Sequence, residues 1–338
     1  MKENMEEKGI IKTFAIQSNS NLARMRSTSG GTFYEIARYI LQINGYVCAA
    51  GFDEDLQVIH KIIDRMEDLE ELEGAKYVQS NLQDCFPRIK VLLDSNKIVL
   101  FAGTPCQVGG IKTYLRKNYE NLYLVDLVCF GVPSPLIYSS WLKSISERHN
   151  KKINKIYFRD KSFGYAAPNV KIIFDDQTST EQNFLVKSYM KTFMSELNVR
   201  PCCSECFFKG PHRDSDLTLG DCWHIAHFSK DLDDNLGTTS VFVHTTKGLK
   251  LIQIISTNSK IVEIETQRAI ALDGKKMIQS VNLSPVRREF FSDLTHMRYE
   301  ELVQKWVPNS LKNTLGTFAK RTIGKLPLFK FMLKKIRG

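Results

Sequence analysis

The chain lacks any apolar run approaching the roughly 20 residues that cross a bilayer. Its nearest candidates, residues 97–103 and 122–129, have the length of buried strands. A membrane-spanning protein is therefore not expected. The start, residues 1–9, is acidic and polar, without the basic region and apolar core of a secretory signal, so a cytoplasmic location is expected. Internal repeats and low-complexity segments are also missing, which leaves an ordinary alternation of elements. With 43% hydrophobic and 25% charged residues the composition excludes disorder, and 338 residues allow one large domain or two of moderate size.

Eight cysteines without an export signal fit metal ligation or catalysis better than disulfides, because the cytosol keeps thiols reduced. The net charge of +10 is unevenly spread: residues 311–338 hold eight Lys or Arg and no acid, and the rest is nearly neutral. The charge belongs to a tail, not to a nucleic-acid groove, and no nucleic-acid partner is expected.

The first half predicts a helix over 31–43, strands at 46–52 and 58–63, helices over 64–74 and 80–94, a strand at 97–103, a helix over 108–117, a strand at 122–129 and a helix over 135–148. That alternation predicts an α/β fold with a mixed, mostly parallel sheet. After residue 150 the pattern becomes α+β, with strands at 155–159, 170–174, 217–222 and 240–245 and a helix near 189–197 that leads into a cysteine-dense loop. The expected divisions are 1–150 (α/β half), 151–276 (α+β half of the same catalytic unit) and 277–338 (helical basic tail).

Cys203-x-x-Cys206 lies in a turn, where two thiolates can face one metal. By itself the pair fits iron–sulfur, zinc or a redox couple equally. Cys106 follows Pro105 at a predicted helix start, where the backbone dipole stabilises a thiolate. Cys129 ends the next predicted strand, and open α/β sheets place their sites at carboxyl ends of strands. A buried structural cysteine is the alternative for both. Cys48 reads as core, Cys85 shows no partner, and Cys202 and Cys222 are reserves. The loop Ser27-Thr28-Ser29-Gly30-Gly31 opens onto a helix and offers N–H groups to a phosphate, with capping by Ser29 as the plainer account. Residues 74–80, with Lys76, Tyr77, Gln79 and Ser80, suit a polar cofactor or an exposed turn.

An ordered series of motifs carries a resemblance. It runs through Ser27-x-Ser29-Gly30-Gly31-x-Phe33, Lys76-Tyr77-Val78-Gln79-Ser80, Gly103-Thr104-Pro105-Cys106-Gln107 and Asp126-x-x-Cys129-x-Gly131-Val132-Pro133. It continues with Phe158-Arg159-Asp160-Lys161, Arg200-Pro201-x-Cys203-x-x-Cys206-x-Phe208-Lys209, Arg213-x-x-Asp216-x-Thr218-x-Gly220-Asp221-x-Trp223 and Asp234-x-x-Gly237-Thr238. Over about residues 12–255 the chain resembles the coenzyme F-420 hydrogenase/dehydrogenase beta-subunit family. The resemblance implies a flavin, FAD or FMN in its place, beside a 4Fe-4S cluster, with electrons passing between cluster, flavin and a soluble acceptor or substrate. It implies Cys106, Cys129, Cys203 and Cys206 as cluster ligands. Ser27, Ser29, Gly30, Gly31, Lys76, Tyr77, Gln79, Ser80, Thr104 and Gln107 are the implied flavin contacts.

Departures sharpen the expectation. Many relatives carry an amino-terminal ferredoxin domain, which is not seen here, so a separate electron donor such as a ferredoxin-like protein is expected. Phe130 stands where histidine is frequent, and Cys222 and His224 replace the usual phenylalanine and glycine around Trp223. No residue speaks for coenzyme F-420 itself, and no catalytic acid or base is assigned. The basic, apolar-studded tail 311–338 could lie on an anionic membrane surface at the inner face of the cell membrane, as in surface-polysaccharide assembly. A docked helix or a partner-binding element would look the same. The reading is a flavin-dependent iron–sulfur oxidoreductase of unknown substrate; the alternative is a zinc-stabilised, non-catalytic scaffold on the same fold.

Overall fold

A computed structural model describes residues 9–181 and 183–308. The basic segment 311–338 lies outside the described residues. The strands are β1 (Lys12–Ser18), β2 (Tyr46–Phe52), β3 (Val58–Ile63), β4 (Val99–Ala102), β5 (Leu122–Leu127), β6 (Ile153–Asp160), β7 (Asn169–Phe174), β8 (Ser179–Glu181), β9 (Leu217–Asp221), β10 (Thr239–Val243) and β11 (Ser259–Glu263). The described residues form two compact units. One takes those up to Lys76, Ser80–Phe130 and Cys206–Ser280; the other takes Tyr77–Gln79, Gly131–Glu205 and those from Val281.

The first unit is built on an eight-stranded sheet in the order β11-β1-β10-β9-β5-β4-β2-β3. Its centre is parallel, β2 with β4, β4 with β5, and β5 with β9 in the register Asp126↔Thr218. The flanking pairs are antiparallel. This is the mixed α/β sheet expected, and three of its strands, β9, β10 and β11, come from the part of the chain, 151–276, read as the α+β half of the same catalytic unit.

Side-chain alternation along β4 sorts the layers. Leu100 faces one core with Ile36, Ile40, Leu251 and Ile252, from the helices Thr32–Gln42 and Thr246–Ile255. Its neighbours Val99 and Phe101 face another core with Ile89, Leu93, Val108 and Ile111, from the helices Cys85–Asp94 and Pro105–Leu115. Truncating any of these fully buried aliphatics to alanine costs about 2–5 kcal/mol.

Local chemistry explains the boundaries that differ from expectation. The helix expected over 80–94 starts only at Cys85. Before it, Asn81 makes a bridge to Ile59 of β3, and Pro87 is tolerated only within the first turn. The helix near 189–197 is instead Phe184–Met194, capped by the Asn183 side chain accepting from the Val186 N–H at 2.8 Å. Residues 66–72 of the charged stretch form a 3₁₀ helix.

The second unit pairs β6, β7 and β8 in an antiparallel sheet. Its core includes Tyr138 and Trp141 of the helix Pro135–His149, Phe158 of β6, and Tyr189, with Trp141 stacked on Tyr189 at 5.0 Å. The indole N–H of Trp141 donates to the Leu185 carbonyl at 3.0 Å, so no polar atom of this ring is lost to burial.

Candidate cofactor and cysteine site

Because β10 runs antiparallel to β9 and β1 antiparallel to β10, strands β1, β2, β4, β5 and β9 all end at one edge of the sheet. The segments that follow them are Asn19 onward, Asp53 onward, 103–107, 128–129 and 222–224. Carboxyl edges of open sheets are where ligands bind, since loops there diverge from a rigid base.

After β4, Thr104 caps the helix Pro105–Leu115 in a reciprocal capping box with Gln107, and Pro105 occupies its first turn. The Gln107 Oε1 accepts from the Thr104 N–H at 2.9 Å, while its Nε2 donates to the Ser80 carbonyl at 3.4 Å. The Cys106 thiol is exposed, 3.1 Å from the Thr104 hydroxyl. Sequence reasoning missed His60 of β3, which joins this group. Its Nδ1 meets the Ser80 hydroxyl at 2.7 Å and its Nε2 donates to the Ala102 carbonyl at 3.2 Å. Burial holds this imidazole neutral, its pKa lowered to about 4.

The glycine-rich loop packs against the same edge. A Cβ on Gly30 would lie 2.2 Å from the Ile16 carbonyl oxygen, and Gly31 has φ +87°, so each glycine is required by the backbone itself. Gly31, not Ser29, is the residue before the helix; the Ser29 hydroxyl instead donates to Asp221 at the end of β9. The Thr28 hydroxyl accepts from the Ala75 N–H at 2.7 Å and so ties this loop to the one carrying Lys76. The Lys76 ammonium donates to the carbonyls of Glu73 at 2.9 Å and Glu71 at 3.2 Å. Tyr77 and Gln79 belong to the second unit, where the Tyr77 hydroxyl meets Arg159 at 3.1 Å and Gln79 accepts from Arg200.

Three of the four singled-out cysteines, Cys106, Cys129 and Cys206, belong to the first unit. The run 206–209 fastens their surroundings together. Phe208 packs on the helix that begins beside Cys106, so closely that a Cβ on Gly109 would sit 2.3 Å from its ring. Lys209 donates from Nζ to the carbonyls of Cys129 and Lys276. Burial lowers the pKa of this ammonium, and the nearby Cys129 and Cys206 thiols oppose that shift. Arg213 is buried and donates to the Phe208 and Met277 carbonyls, both at 2.8 Å, with Asp126 3.6 Å from the same guanidinium.

Cys203 belongs to the second unit. There, residues 131–134, which follow Cys129 in sequence, pair with 198–200, which precede Cys203. The contacts are Ser134 N–H to Asn198 carbonyl at 2.9 Å, Arg200 N–H to Val132 carbonyl at 3.0 Å, and a bridge Pro133↔Val199. Gly131, at φ +83°, leaves only 3.3 Å between its would-be Cβ and that of Cys203.

The remaining cysteines sort by burial. Cys222 is buried and its thiol pushed up to about 12 by burial, which keeps it protonated. Cys85 has a partner that sequence reasoning did not see. It is buried with Cys48 in one core, and its thiol donates to the His60 carbonyl at 3.3 Å. Among the described residues no cysteine is in a disulfide, and no three His, Cys, Asp or Glu side chains converge closely enough to hold a metal ion.

Past β9, His224 is held by Asp273, which sequence reasoning did not single out. The carboxylate accepts from Nδ1 at 2.8 Å and from the His224 N–H at 3.1 Å. Asp273 sits in a π-helical turn, Ile270–Gly274, and burial raises its pKa.

A mixed sheet with cysteines and polar loops at its carboxyl edge defines an α/β protein whose candidate site lies where open sheets bind ligands. The chain belongs to the coenzyme F420 hydrogenase/dehydrogenase beta-subunit family: the pattern that describes the C terminus of that beta subunit matches residues 96–268. A solved structure, a xenon derivative of the F420-reducing NiFe hydrogenase complex from Methanosarcina barkeri, shares the fold at TM-score 0.50 and 16% identity. That likeness covers 90% of this chain and 94% of that one. No curated protein matches the chain. Among the described residues no helix is long and apolar enough to cross a membrane.

Proposed function

We propose that the protein is a flavin-linked iron–sulfur oxidoreductase that takes electrons from a separate donor protein and passes them between a 4Fe-4S cluster, FAD and a substrate or carrier. One observation carries the reading. A single run, 206–209, joins Cys206 to the helix of Cys106 through Phe208 on Gly109, and to Cys129 through Lys209. The donor set suits a cluster, because thiolates are its ordinary ligands. The half-buried cation at Lys209 also suits an anionic thiolate assembly. Among the described residues no three of these thiols converge, so the cluster's own bonds would complete the site.

Cys106, Cys129, Cys203 and Cys206 would hold the cluster, and a bound flavin would supply the exchange between two-electron and one-electron chemistry. For it, Ser27, Ser29, Gly30, Gly31, Lys76, Ser80, Thr104 and Gln107 offer polar groups on the first unit, while Tyr77 and Gln79, in the second unit, are proposed on the family resemblance alone. The chain's own residues fix the first-unit groups: Gln107 locks the Thr104 turn to Ser80, and Thr28 locks the glycine loop to Ala75. The M. barkeri neighbour comes from a hydrogenase complex, which supports a partner protein as electron donor. The segment 311–338 is proposed to contact an anionic membrane surface, in surface-polysaccharide synthesis. Sedimentation with anionic vesicles should be lost on its deletion, and unchanged sedimentation would exclude that role.

The test is anaerobic purification of the full chain with optical and electron paramagnetic spectra and metal analysis. Iron, sulfide and flavin are expected, with the cluster signal lost in Cys203→Ser and Cys206→Ser. A colourless protein with stoichiometric zinc would establish the scaffold reading in its place.

A further inference from the structure

Beneath the cysteine loop lies a polar group that the electron-transfer reading leaves without a role. Asp126 of β5 and Thr218 of β9 are cross-strand neighbours, both buried, and the Thr218 hydroxyl donates to Asp126 Oδ1. The same hydroxyl oxygen lies 2.8 Å from Nε2 of His244, the residue after β10. His244 Nδ1 lies 2.9 Å from the Gly9 carbonyl oxygen, which can only accept, so Nδ1 must carry a proton.

The hydroxyl has one proton and sits between two groups, a carboxylate and an imidazole nitrogen, that both accept when neither carries an extra proton. One of the two contacts would then be lone pair against lone pair. Adding a single proton resolves the conflict in either of two arrangements. Protonated Asp126 can donate to Thr218, which donates to His244; or protonated His244 can donate to Thr218, which donates to Asp126. The two differ only by shifting protons along the row, which is the property of a relay.

We propose that Asp126, Thr218 and His244 form a buried site for one exchangeable proton, reached through half-buried His244 and coupled through Arg213 to the loop that carries Cys206. The coupling to electrons rests on the function proposed above. Arg213 joins the two regions physically, with Asp126 on one side and the Phe208 carbonyl on the other. An electron arriving from the donor at the cysteine loop adds one negative charge. One proton drawn from solvent onto the relay restores the buried charge, so electron and proton arrive together.

The surroundings favour an occupancy that changes near neutral pH. Burial raises the Asp126 pKa to about 6, opposed by Arg213 and Thr218, with Asp214 adding to the rise. Burial lowers that of His244 to about 4, with Arg213 and His212 also lowering it. Asp216 and Lys247, the other charged groups at this end, are engaged with each other at 3.7 Å, and Asp216 also accepts from Thr245 and the Leu124 N–H.

Infrared spectroscopy of the full chain, with and without cofactors, tests the site through the protonated-carboxyl stretch. As pH falls through about 6 a band should grow that is missing in Asp126→Asn. In Thr218→Val the Asp126 midpoint should separate from the His244 titration followed by imidazole nitrogen shifts. Should Asp126→Asn not fold, Thr218→Val alone decides. No carboxyl band titrating near neutral pH, or unchanged midpoints in Thr218→Val, would overturn the proton site. In cofactor-loaded protein the midpoint potential should depend on pH around the same value, and Thr218→Val should flatten the dependence. A titrating band in a chain that takes up neither iron nor flavin upholds the proton site and refutes the electron reading. A loaded protein with a titrating band and a pH-independent potential refutes the coupling.

Discussion

Substituting Gly109 by alanine tests the joint between the Cys106 helix and the Cys206 loop. Two effects of opposite sign compete. Alanine is favoured over glycine inside a helix by about 1 kcal/mol. The new Cβ would lie 2.3 Å from the Phe208 ring, well inside the ~3.5 Å at which carbon atoms begin to attract. The ring would have to retreat by about 1 Å, and such overpacking costs about 1–3 kcal/mol. Gly109→Ala is therefore expected to be neutral to destabilising by about 2 kcal/mol. Phe208→Ala by itself should cost about 2 kcal/mol, less than the ~3–5 kcal/mol of a fully buried aromatic because the ring is only half-buried. In the double variant the clash is gone and only the helix preference remains, so adding Gly109→Ala to Phe208→Ala should stabilise by about 1 kcal/mol. Urea denaturation of the four proteins gives the cycle, with unchanged m-values required for the comparison. A Gly109→Ala effect of the same sign and size in both backgrounds would refute the packing of Phe208 on this helix.

Lys209→Met removes two charge-assisted hydrogen bonds to the carbonyls of Cys129 and Lys276. Since the ammonium already bears a burial penalty, the net loss should be about 2 kcal/mol in urea denaturation; wild-type stability would contradict the assigned role. His60 governs an acid limb. Its pKa is about 4 in the fold against 6.5 for the ordinary group, so the unfolded chain binds the proton more tightly. Stability from this residue is complete above pH 6.5 and drains as pH falls toward 4, by about 3 kcal/mol in all. Asp126, with its raised pKa, acts in the opposite direction over the same range. Comparing wild type with His60→Gln isolates the histidine, and the variant's denaturation midpoints should fall less steeply between pH 6.5 and 4. Parallel curves would show that His60 is not held neutral.

Where local pattern suffices, sequence and structure agree. Strands β2 to β5 and the helices Thr32–Gln42 and Pro105–Leu115 follow from alternation, helical spacing and Pro105 at a first turn. Strand β1 was hidden because its polar residues are buried and satisfied only by remote partners. Gln17 donates to the Leu232 carbonyl at 2.6 Å and to the Thr238 hydroxyl at 2.8 Å, and Thr13 meets Thr266 at 2.9 Å. Short β11, Ser259–Glu263, has only one buried residue and so no alternation to read. For the site, spacing marked Cys203 and Cys206 and a helix start marked Cys106. Nothing local pointed to His60, Asp273 or the Cys48–Cys85 pair, because each acquires its meaning from a residue distant in sequence.

The placement of β9 accounts for most of what the sequence could not disclose. It lies beside β5 and parallel to it, although it is separated from β5 by the entire β6–β8 sheet. The crossover brings Thr218 opposite Asp126 and sets residues 221–224 on the same edge as Cys129. It also fixes Ser29 to Asp221 across the edge. A strand joined instead by a short connection could not carry 206–213 over the sheet end, and Arg213 would not reach both Asp126 and the Phe208 carbonyl. The same crossover that supplies the cysteine pair thus supplies the groups buried beneath it. Arg213→Lys separates these two duties: lysine keeps a charge for Asp126 but lacks the planar fork that spans the Phe208 and Met277 carbonyls.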